Sequence, residues 1–155
     1  MKYHSDGRVQ RRKARLVAKG YSQQPGVDFH ETFAPVAHLD TIRTIIAVAA
    51  QKGWLLYYLN TKSAFFNGKL EEEIYVEQPQ GCVVDKEENK VYKLKKALYG
   101  LKQALRAWYT QIDNYFIENG FIRSKSEPTL YVKSKGNSQI LIVALYVDDF
   151  IFYWK

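Results

Sequence analysis

Two adjacent acidic residues interrupt the most apolar stretch of this sequence. Residues 140–147 are almost wholly apolar, Asp148 and Asp149 follow, and residues 150–154 are apolar again. Apolar segments of this length on both sides of a tight turn predict a β-hairpin with the two carboxylates at its tip. Neither segment approaches the roughly 20 apolar residues that are needed to span a bilayer, so no membrane partner is expected.

The acidic pair has two interpretations. Two half-buried carboxylates repel each other unless a cation lies between them, and Mg²⁺, which prefers oxygen ligands, suits such a pair. An isolated Asp-Asp pair is more often an ordinary acidic β-turn. The strongly apolar character of residues 140–147 favours the metal site, because an ordinary surface turn rarely follows so apolar a strand.

The rest of the pattern predicts short strands that interleave irregularly with two helices. Asp40 and Gly53 are expected to begin and end one helix, and apolar residues recur at intervals of three and four from Leu101 to Phe116, which predicts a second helix closed by Gly120. Strands are predicted at residues 13–19, 54–59, 74–77, 91–94, 129–132, 139–147 and 150–154, with 54–59 buried. This order predicts an α+β fold with a largely antiparallel sheet.

The positive charge is unevenly distributed. The 155-residue chain has a net charge of +7, and residues 1–20 carry seven Lys or Arg side chains against one acid, Asp6. Residues 90–106 hold six Lys or Arg side chains and no acid. Such clusters suit a phosphate backbone. A solvated basic face that keeps the protein soluble explains the charge equally well.

Several classes of protein are excluded. The chain has one cysteine, Cys82, and its three histidines do not accompany it at metal-ligand spacing, which excludes a disulfide scaffold and a zinc site. Residues 1–15 contain no apolar signal core. A hydrophobic content of 46% argues against disorder. We expect a soluble intracellular protein.

A site with two metal ions needs a further carboxylate from a second strand end. The candidate strand, residues 54–59, ends in Asn60, which is neutral. Residues 61–66 look like a turn into a short helix. From the residues alone, Asn60 is interpreted as a strand-end cap and Phe65 as a core aromatic, and their spacing indicates no site.

Four motifs resemble, in order, the signatures of copia-type retrotransposon reverse transcriptases. They are KARLVAKG at residues 13–20, ETFAPV at 31–36, LYGLKQA at 98–104 and YVDD at 146–149. The resemblance implies an RNA-directed DNA polymerase with right-hand architecture. It places fingers at about residues 1–53 and 68–97 and palm at about 54–67 and 98–155, with the palm sheet flanked by helices.

The resemblance also implies roles for individual residues. Asp148 and Asp149 correspond to ligands of two Mg²⁺ ions, and Asn60 stands where the family has its third catalytic aspartate. Phe65 corresponds to the residue under the sugar that excludes a ribose 2′-hydroxyl. Tyr99 and Gly100 correspond to the pair beside the incoming nucleotide and the template base.

Basic residues complete the expected binding surfaces. Lys13 and Arg15 resemble the fingers residues that grip the triphosphate. Nucleic acid is expected to contact Arg11, Arg12, Lys95, Lys96 and Lys102. The implied substrates are deoxynucleoside triphosphates and a primer on an RNA or DNA template, and the implied location is a cytoplasmic virus-like particle.

Three departures from the family pattern stand out. Leu105 replaces a usual proline, Cys82 a usual phenylalanine, and Asn60 the aspartate. The last removes a charged ligand, so we expect this copy to be catalytically inactive. Because the sequence ends at Lys155, a partial copy of a pol polyprotein without a thumb is expected. The alternatives are a non-catalytic nucleic-acid-binding remnant and an untranslated relic.

Overall fold

One five-stranded sheet and two helices dominate the fold. The computed structural model describes residues 2–12, 14–136 and 139–154. The helices are α1 (Leu39–Lys52) and α2 (Ala104–Glu118). The strands are β1 (Lys2–Tyr3), β2 (Val9–Arg11), β3 (Leu56–Asn60), β4 (Tyr75–Glu77), β5 (Val91–Lys93), β6 (Ile122–Arg123), β7 (Leu130–Lys135), β8 (Gln139–Tyr146) and β9 (Asp149–Trp154). The predicted α+β fold is confirmed.

The main sheet is antiparallel throughout. Its strand order is β3-β9-β8-β7-β6, and β1-β2 and β4-β5 form separate two-stranded ribbons. β8 and β9 form the predicted hairpin, whose register places Tyr146 opposite Asp149. β3 pairs with the other edge of β9 and places Asn60 opposite Asp149. The sheet therefore brings the ends of β3 and β8 to either side of Asp149.

The two helices cover opposite faces of this sheet. α1 packs Ile45 against Ala144 and Tyr153, whereas α2 packs Phe116 against Val143 and Tyr131. Successive residues of a strand point to opposite faces, so the neighbours Val143 and Ala144 assign the helices to different sides. Among the described residues, no helix has the length and apolar character that a membrane span requires.

A third buried cluster lies at the start of α2. It joins Trp108 to Phe65, which lies on a short 3-10 helix, Ala64–Asn67, and to Ala64 and Leu101. Val147, the residue before the acidic pair, packs against this cluster. The hairpin tip therefore rests on the core instead of projecting freely into solvent.

The segment before α1 contacts both the end of β8 and the loop before β7. Val36 forms an isolated antiparallel bridge with Tyr146 at the end of β8. His38 then caps α1, and its backbone N–H donates to Glu127 Oε2 at 3.1 Å, while its Nδ1 lies 2.6 Å from the same oxygen. Glu127 is buried. A buried carboxylate thus joins the start of α1 to the loop before β7.

Two predictions about strands are wrong. Residues 14–19 have no regular structure, because the Ala18 N–H donates to the Tyr99 carbonyl (2.7 Å) and not to a neighbouring strand. Residues 54–59 overlap β3, so the strand itself is confirmed, but its predicted burial is wrong: β3 is an edge strand without a buried residue, and Tyr58 is 64% exposed. An apolar run does not reveal whether a strand has neighbours on both sides. β6 was not predicted at all.

The helix ends agree more closely with the sequence pattern. Gly53 ends α1 in the left-handed conformation (φ 66°), and its N–H donates to the Ala49 and Ala50 carbonyls, as a helix-terminating glycine does. Asp40 is not the cap: α1 begins after His38, and Asp40 lies in the first turn, where its charge favours the helix dipole. α2 begins at Ala104, three residues later than the apolar spacing predicts.

Candidate active site

The acidic pair occupies the turn between β8 and β9. Val147 and Asp148 form the turn, and Asp149 is the first residue of β9. Both carboxylate-bearing residues are half-buried. The Asp148 carbonyl accepts a hydrogen bond from the Thr61 N–H at 2.7 Å, which ties the turn to the residue after β3. The predicted hairpin tip is confirmed.

Asn60 lies beside this turn, at the end of the adjacent strand. Its side-chain Nδ2 donates a hydrogen bond to Asp149 Oδ1 at 2.7 Å. Asp148, Asp149 and Asn60 therefore form one group, although Asn60 lies 89 residues from its partner. The amide presents its N–H, and not its oxygen, to the carboxylate.

Tyr58 is a member of this group that the sequence pattern did not indicate. A hydrogen bond to Asp149 raises the pKa of the Tyr58 phenol, and the negative charges of Asp149 and Asp148 act in the same direction. Tyr58 precedes Asn60 by two residues in β3, so both side chains lie on the same face of the strand. That spacing was the available signal, but an exposed tyrosine in an apolar run resembles ordinary strand composition.

The donor set does not fit a pair of Mg²⁺ ions. It supplies two carboxylates, and the described residues contain no group of three or more His, Cys, Asp or Glu side chains arranged to hold a metal. The Asn60 amide and the Tyr58 hydroxyl both bond to Asp149, whose oxygens would have to face the cations. Hydrogen bonds thus take the place of part of the positive charge that a metal cluster would supply.

An aromatic pair lies next to the same core cluster. Phe65 is buried, and its ring meets the edge of Tyr99 with centroids 4.5 Å apart and planes inclined by 62°. The Arg15 guanidinium carbon lies 4.9 Å from the centroid of the Tyr99 ring, within cation–π range. The structure therefore brings together three residues that were predicted to contact a nucleotide.

Gly100 occupies a position that only glycine can fill. Its φ is +93°, and a Cβ there would collide with the Ala18 carbonyl oxygen. The loop that carries Tyr99 and Gly100 is thereby pressed against the irregular segment that carries Arg15. Lys13, the remaining predicted triphosphate contact, lies outside the described residues.

The basic stretch at residues 90–106 divides into two groups in space. Lys90 pairs with Glu87 at 2.6 Å, Lys93 pairs with Glu73, and Arg106 pairs with Glu71 at 3.2 Å. The other cations in the stretch are exposed and pair with no carboxylate of the described residues; they are Lys95, Lys96 and Lys102. The sequence of residues 90–106 therefore overstates how many of its basic side chains are unpaired.

The N-terminal basic residues are described only in part. Arg12 is exposed and follows β2. Arg8 forms an ion pair with Asp6 at 2.6 Å. The backbone of Arg11 ends β2, but its side chain lies outside the described residues. The predicted contact of Arg11 and Arg12 with nucleic acid stays a prediction.

Comparison with known proteins gives a consistent result. Residues 1–154 match the family described as reverse transcriptase (RNA-dependent DNA polymerase). The chain is 47% identical over 150 residues to the retrovirus-related Pol polyprotein from transposon RE1 of Arabidopsis thaliana, covering 97% of this chain and 10% of that protein. It is 43% identical over 155 residues to the Pol polyprotein from transposon TNT 1-94 of Nicotiana tabacum, covering 100% of this chain and 12% of that protein.

A more distant relative is the transposon Ty1-NL2 Gag-Pol polyprotein of Saccharomyces cerevisiae. It is 32% identical over 143 residues, covering 92% of this chain and 8% of that protein. No solved structure matches the chain. The chain spans about a tenth of the length of the curated relatives it matches. The resemblance to copia-type enzymes is confirmed, and the chain belongs to the reverse transcriptase (RNA-dependent DNA polymerase) family.

Proposed function

We propose that this chain forms the fingers and front palm of a reverse transcriptase whose nucleotide and nucleic-acid surfaces remain but whose polymerisation is lost. The fingers comprise about residues 1–53 and 68–97, and the palm comprises about 54–67 and 98–155. The ancestral reaction adds deoxynucleotides to a primer on an RNA or DNA template. We infer that this reaction takes place in a cytoplasmic virus-like particle and that the chain acts as part of a longer Pol polyprotein.

The observation that carries this proposal is the position of Asn60. It is opposite Asp149 on the neighbouring strand and within hydrogen-bond distance of its carboxylate. An aspartate at this position would place three carboxylates around one point. In a two-metal site such a cluster holds the cations that stabilise the attacking and leaving oxygens. The geometry therefore suits the ancestral chemistry, and the side chain that is present does not.

The loss of one charge is sufficient to stop the reaction. A carboxylate offers two charged oxygens that can bridge two cations, whereas an amide offers one neutral oxygen. Metal ions contribute several kcal/mol of transition-state stabilisation, and each 1.36 kcal/mol changes the rate about tenfold. We therefore expect the unchanged chain to polymerise slower than its Asn60→Asp variant by orders of magnitude.

The other residues of the site retain binding roles. Tyr99 and Gly100 form the surface for the incoming nucleotide, and Arg15 directs its charge to the triphosphate from the face of Tyr99. Phe65 acts beneath the sugar as a steric gate against a 2′-hydroxyl. Lys95, Lys96 and Lys102 hold the nucleic-acid backbone.

A second candidate function is a nucleic-acid-binding domain that no longer needs a metal. The Asn60 to Asp149 hydrogen bond favours it, because it stabilises the carboxylate without a cation. The unpaired lysines favour it as well. Both functions predict nucleic-acid binding. Only the first predicts that the Asn60→Asp variant recovers metal binding and polymerisation.

Titration of the 155-residue chain with Mn²⁺, followed by water-proton relaxation, tests the proposal directly. Asn60→Asp is expected to tighten Mn²⁺ binding at least tenfold relative to the unchanged chain. Asn67→Asp is the matched control, because it adds the same charge at an exposed asparagine of the neighbouring 3-10 helix. The proposal fails when the unchanged chain already binds two Mn²⁺ ions as tightly as the Asn60→Asp variant does.

A further inference from the structure

The turn that carries the acidic pair has an unfavourable backbone. Val147 has a φ of +58°, in the left-handed region that a β-branched residue rarely adopts. A residue persists in such a conformation only when its surroundings hold it there. The contacts of this turn therefore decide its shape, and the intrinsic preference of the valine opposes it.

Three distant segments supply those contacts. The Val147 N–H donates to the Pro35 carbonyl at 2.6 Å, and the Asp148 carbonyl accepts from the Thr61 N–H at 2.7 Å. The Val147 carbonyl accepts from the Trp108 indole Nε1–H at 2.8 Å. Of these three bonds, the one from Trp108 comes from a side chain.

Trp108 holds the peptide that determines the type of turn. Val147 and Asp148 are the two central residues, so the peptide between them is the central one. Type I′ and type II′ turns differ in the orientation of this peptide, and the φ of the second central residue is positive only in type I′. Asp148 is not among the described residues with positive φ. A rotation of the central peptide would give Asp148 a different backbone conformation.

The indole is well suited to fix this orientation. Trp108 is 3% exposed and packed beside Phe65 and Leu101, so its ring has little freedom. The indole N–H is a donor and never an acceptor, so it bonds to a carbonyl and not to the peptide N–H that a rotated peptide would present. Burial keeps water from replacing the bond.

We propose that Trp108 is a positioning residue that sets the orientation of Asp148 by holding the central peptide of the turn. The proposal rests on the proposed function, in which Asp148 serves the polymerase site. Trp108 is buried and acts only through its hydrogen bond to the Val147 carbonyl. The sequence gives no sign of this role, because a tryptophan on the apolar face of a helix is ordinarily a core residue.

The first test uses the 155-residue chain and does not depend on polymerase activity. Trp108→Phe keeps an aromatic ring and removes the N–H. Labelled with ¹⁵N, the variant is expected to show a changed nuclear Overhauser effect between the Val147 Hα and the Asp148 amide, which reports the orientation of the central peptide. Ile112→Val, a packing change one turn along α2 in the same cluster, is expected to leave it unchanged. An unchanged signal in a folded Trp108→Phe chain would overturn the proposal.

The second test measures the consequence for the reaction. A fusion is made in which this chain, with Asn60→Asp, replaces the matching residues of the Nicotiana tabacum Pol polyprotein. Trp108→Phe is expected to lower kcat about tenfold to a hundredfold and to leave the KM for deoxynucleotide nearly unchanged, because a small misplacement of a reacting group has that effect. Equal effects of Trp108→Phe and Ile112→Val would show that Trp108 is only a packing residue.

A further variant, Val147→Gly, tests whether the loss caused by Trp108→Phe can be rescued. Type II′ turns favour glycine at the first central position. Val147→Gly therefore removes the backbone strain against which the Trp108 hydrogen bond holds the turn. Trp108→Phe is therefore expected to reduce kcat less in the Val147→Gly background than in the parent. A fusion that shows no extension in any background would contradict the proposed function, while the nuclear Overhauser measurement on the chain would still decide the role of Trp108.

Discussion

The Asn60 side-chain amide donates a hydrogen bond of 2.7 Å to Asp149 Oδ1, and the two residues lie opposite each other on adjacent strands. This hydrogen bond explains how the Asp149 carboxylate is stabilised without a cation beside it. Asp149 has a neutral donor where the family resemblance predicts another carboxylate. Under the proposed function, an aspartate at position 60 would add a metal ligand but would also repel Asp149, so stability and metal binding are opposed at this position.

This opposition gives a prediction about stability. Asn60→Asp replaces a donor with a second negative charge beside Asp149, so the free energy of unfolding without divalent cations is expected to fall by about 1 kcal/mol. Mg²⁺ is expected to restore it, because a ligand that binds the folded state stabilises it. Thermal unfolding with and without Mg²⁺ measures both effects. Asn67→Asp serves as the control, and equal stability of all three chains would count against the account.

A second prediction concerns the lysines that lack acidic partners. Lys95→Gln with Lys96→Gln is expected to weaken binding of a labelled primer-template roughly tenfold and to reduce the salt dependence of log K by up to about two, since each phosphate contact contributes about 0.9. The matched pair, Lys90→Gln with Lys93→Gln, removes two cations that already pair with Glu87 and Glu73.

This control pair is expected to bind almost as the unchanged chain does. Fluorescence anisotropy at two salt concentrations measures both pairs of substitutions. Equal weakening by the two pairs would show that binding follows total charge and not the unpaired lysines.

A third prediction concerns Glu127, which anchors α1. Burial raises the pKa of this carboxyl group, but hydrogen bonds from Thr129 and His38 outweigh burial and lower the pKa to about 2, from an ordinary value of 4.5. A depressed folded-state pKa adds stability that is present above the unfolded pKa and is lost as the pH falls towards the folded one. The free energy of unfolding is therefore expected to decline between about pH 5 and pH 2, by roughly 3 kcal/mol from this group.

Glu127→Gln tests that assignment. The variant is expected to be less stable at pH 7 by about 1.5 to 3 kcal/mol, because hydrogen bonds to a charged acceptor are lost. Its stability is also expected to fall less steeply below pH 5 than that of the unchanged chain. Glu118→Gln, at an exposed position of α2, is the control. Parallel pH profiles for all three chains would assign acid sensitivity to other carboxylates.

Local features of the fold were predictable from the sequence. The hairpin of β8 and β9 follows from two apolar segments separated by a short acidic turn, and its strand ends were predicted within about one residue. Gly53 ends α1 as expected. These signals lie in neighbouring residues, where the backbone preference of each residue and the spacing of apolar side chains determine the outcome.

Long-range relationships were not predictable in this way. The residues alone gave no reason to place Asn60 beside Asp149, and only the family resemblance brought them together. The edge position of β3 depends on strand order, which an apolar run does not encode. The bonds from Trp108 to Val147 and from His38 to Glu127 join residues 39 and 89 positions apart, and no local pattern records them.

Primer extension tests the central claim most directly. The fusion with the Nicotiana tabacum polyprotein is assayed on a primed RNA template with deoxynucleotides and Mg²⁺, with Asn60 unchanged, with Asn60→Asp, and with Asn60→Asp plus Asp148→Asn. We predict almost no extension with Asn60, recovery by orders of magnitude with Asn60→Asp, and loss again when Asp148 is also replaced. Robust extension with Asn60 unchanged would contradict the proposed loss of polymerisation.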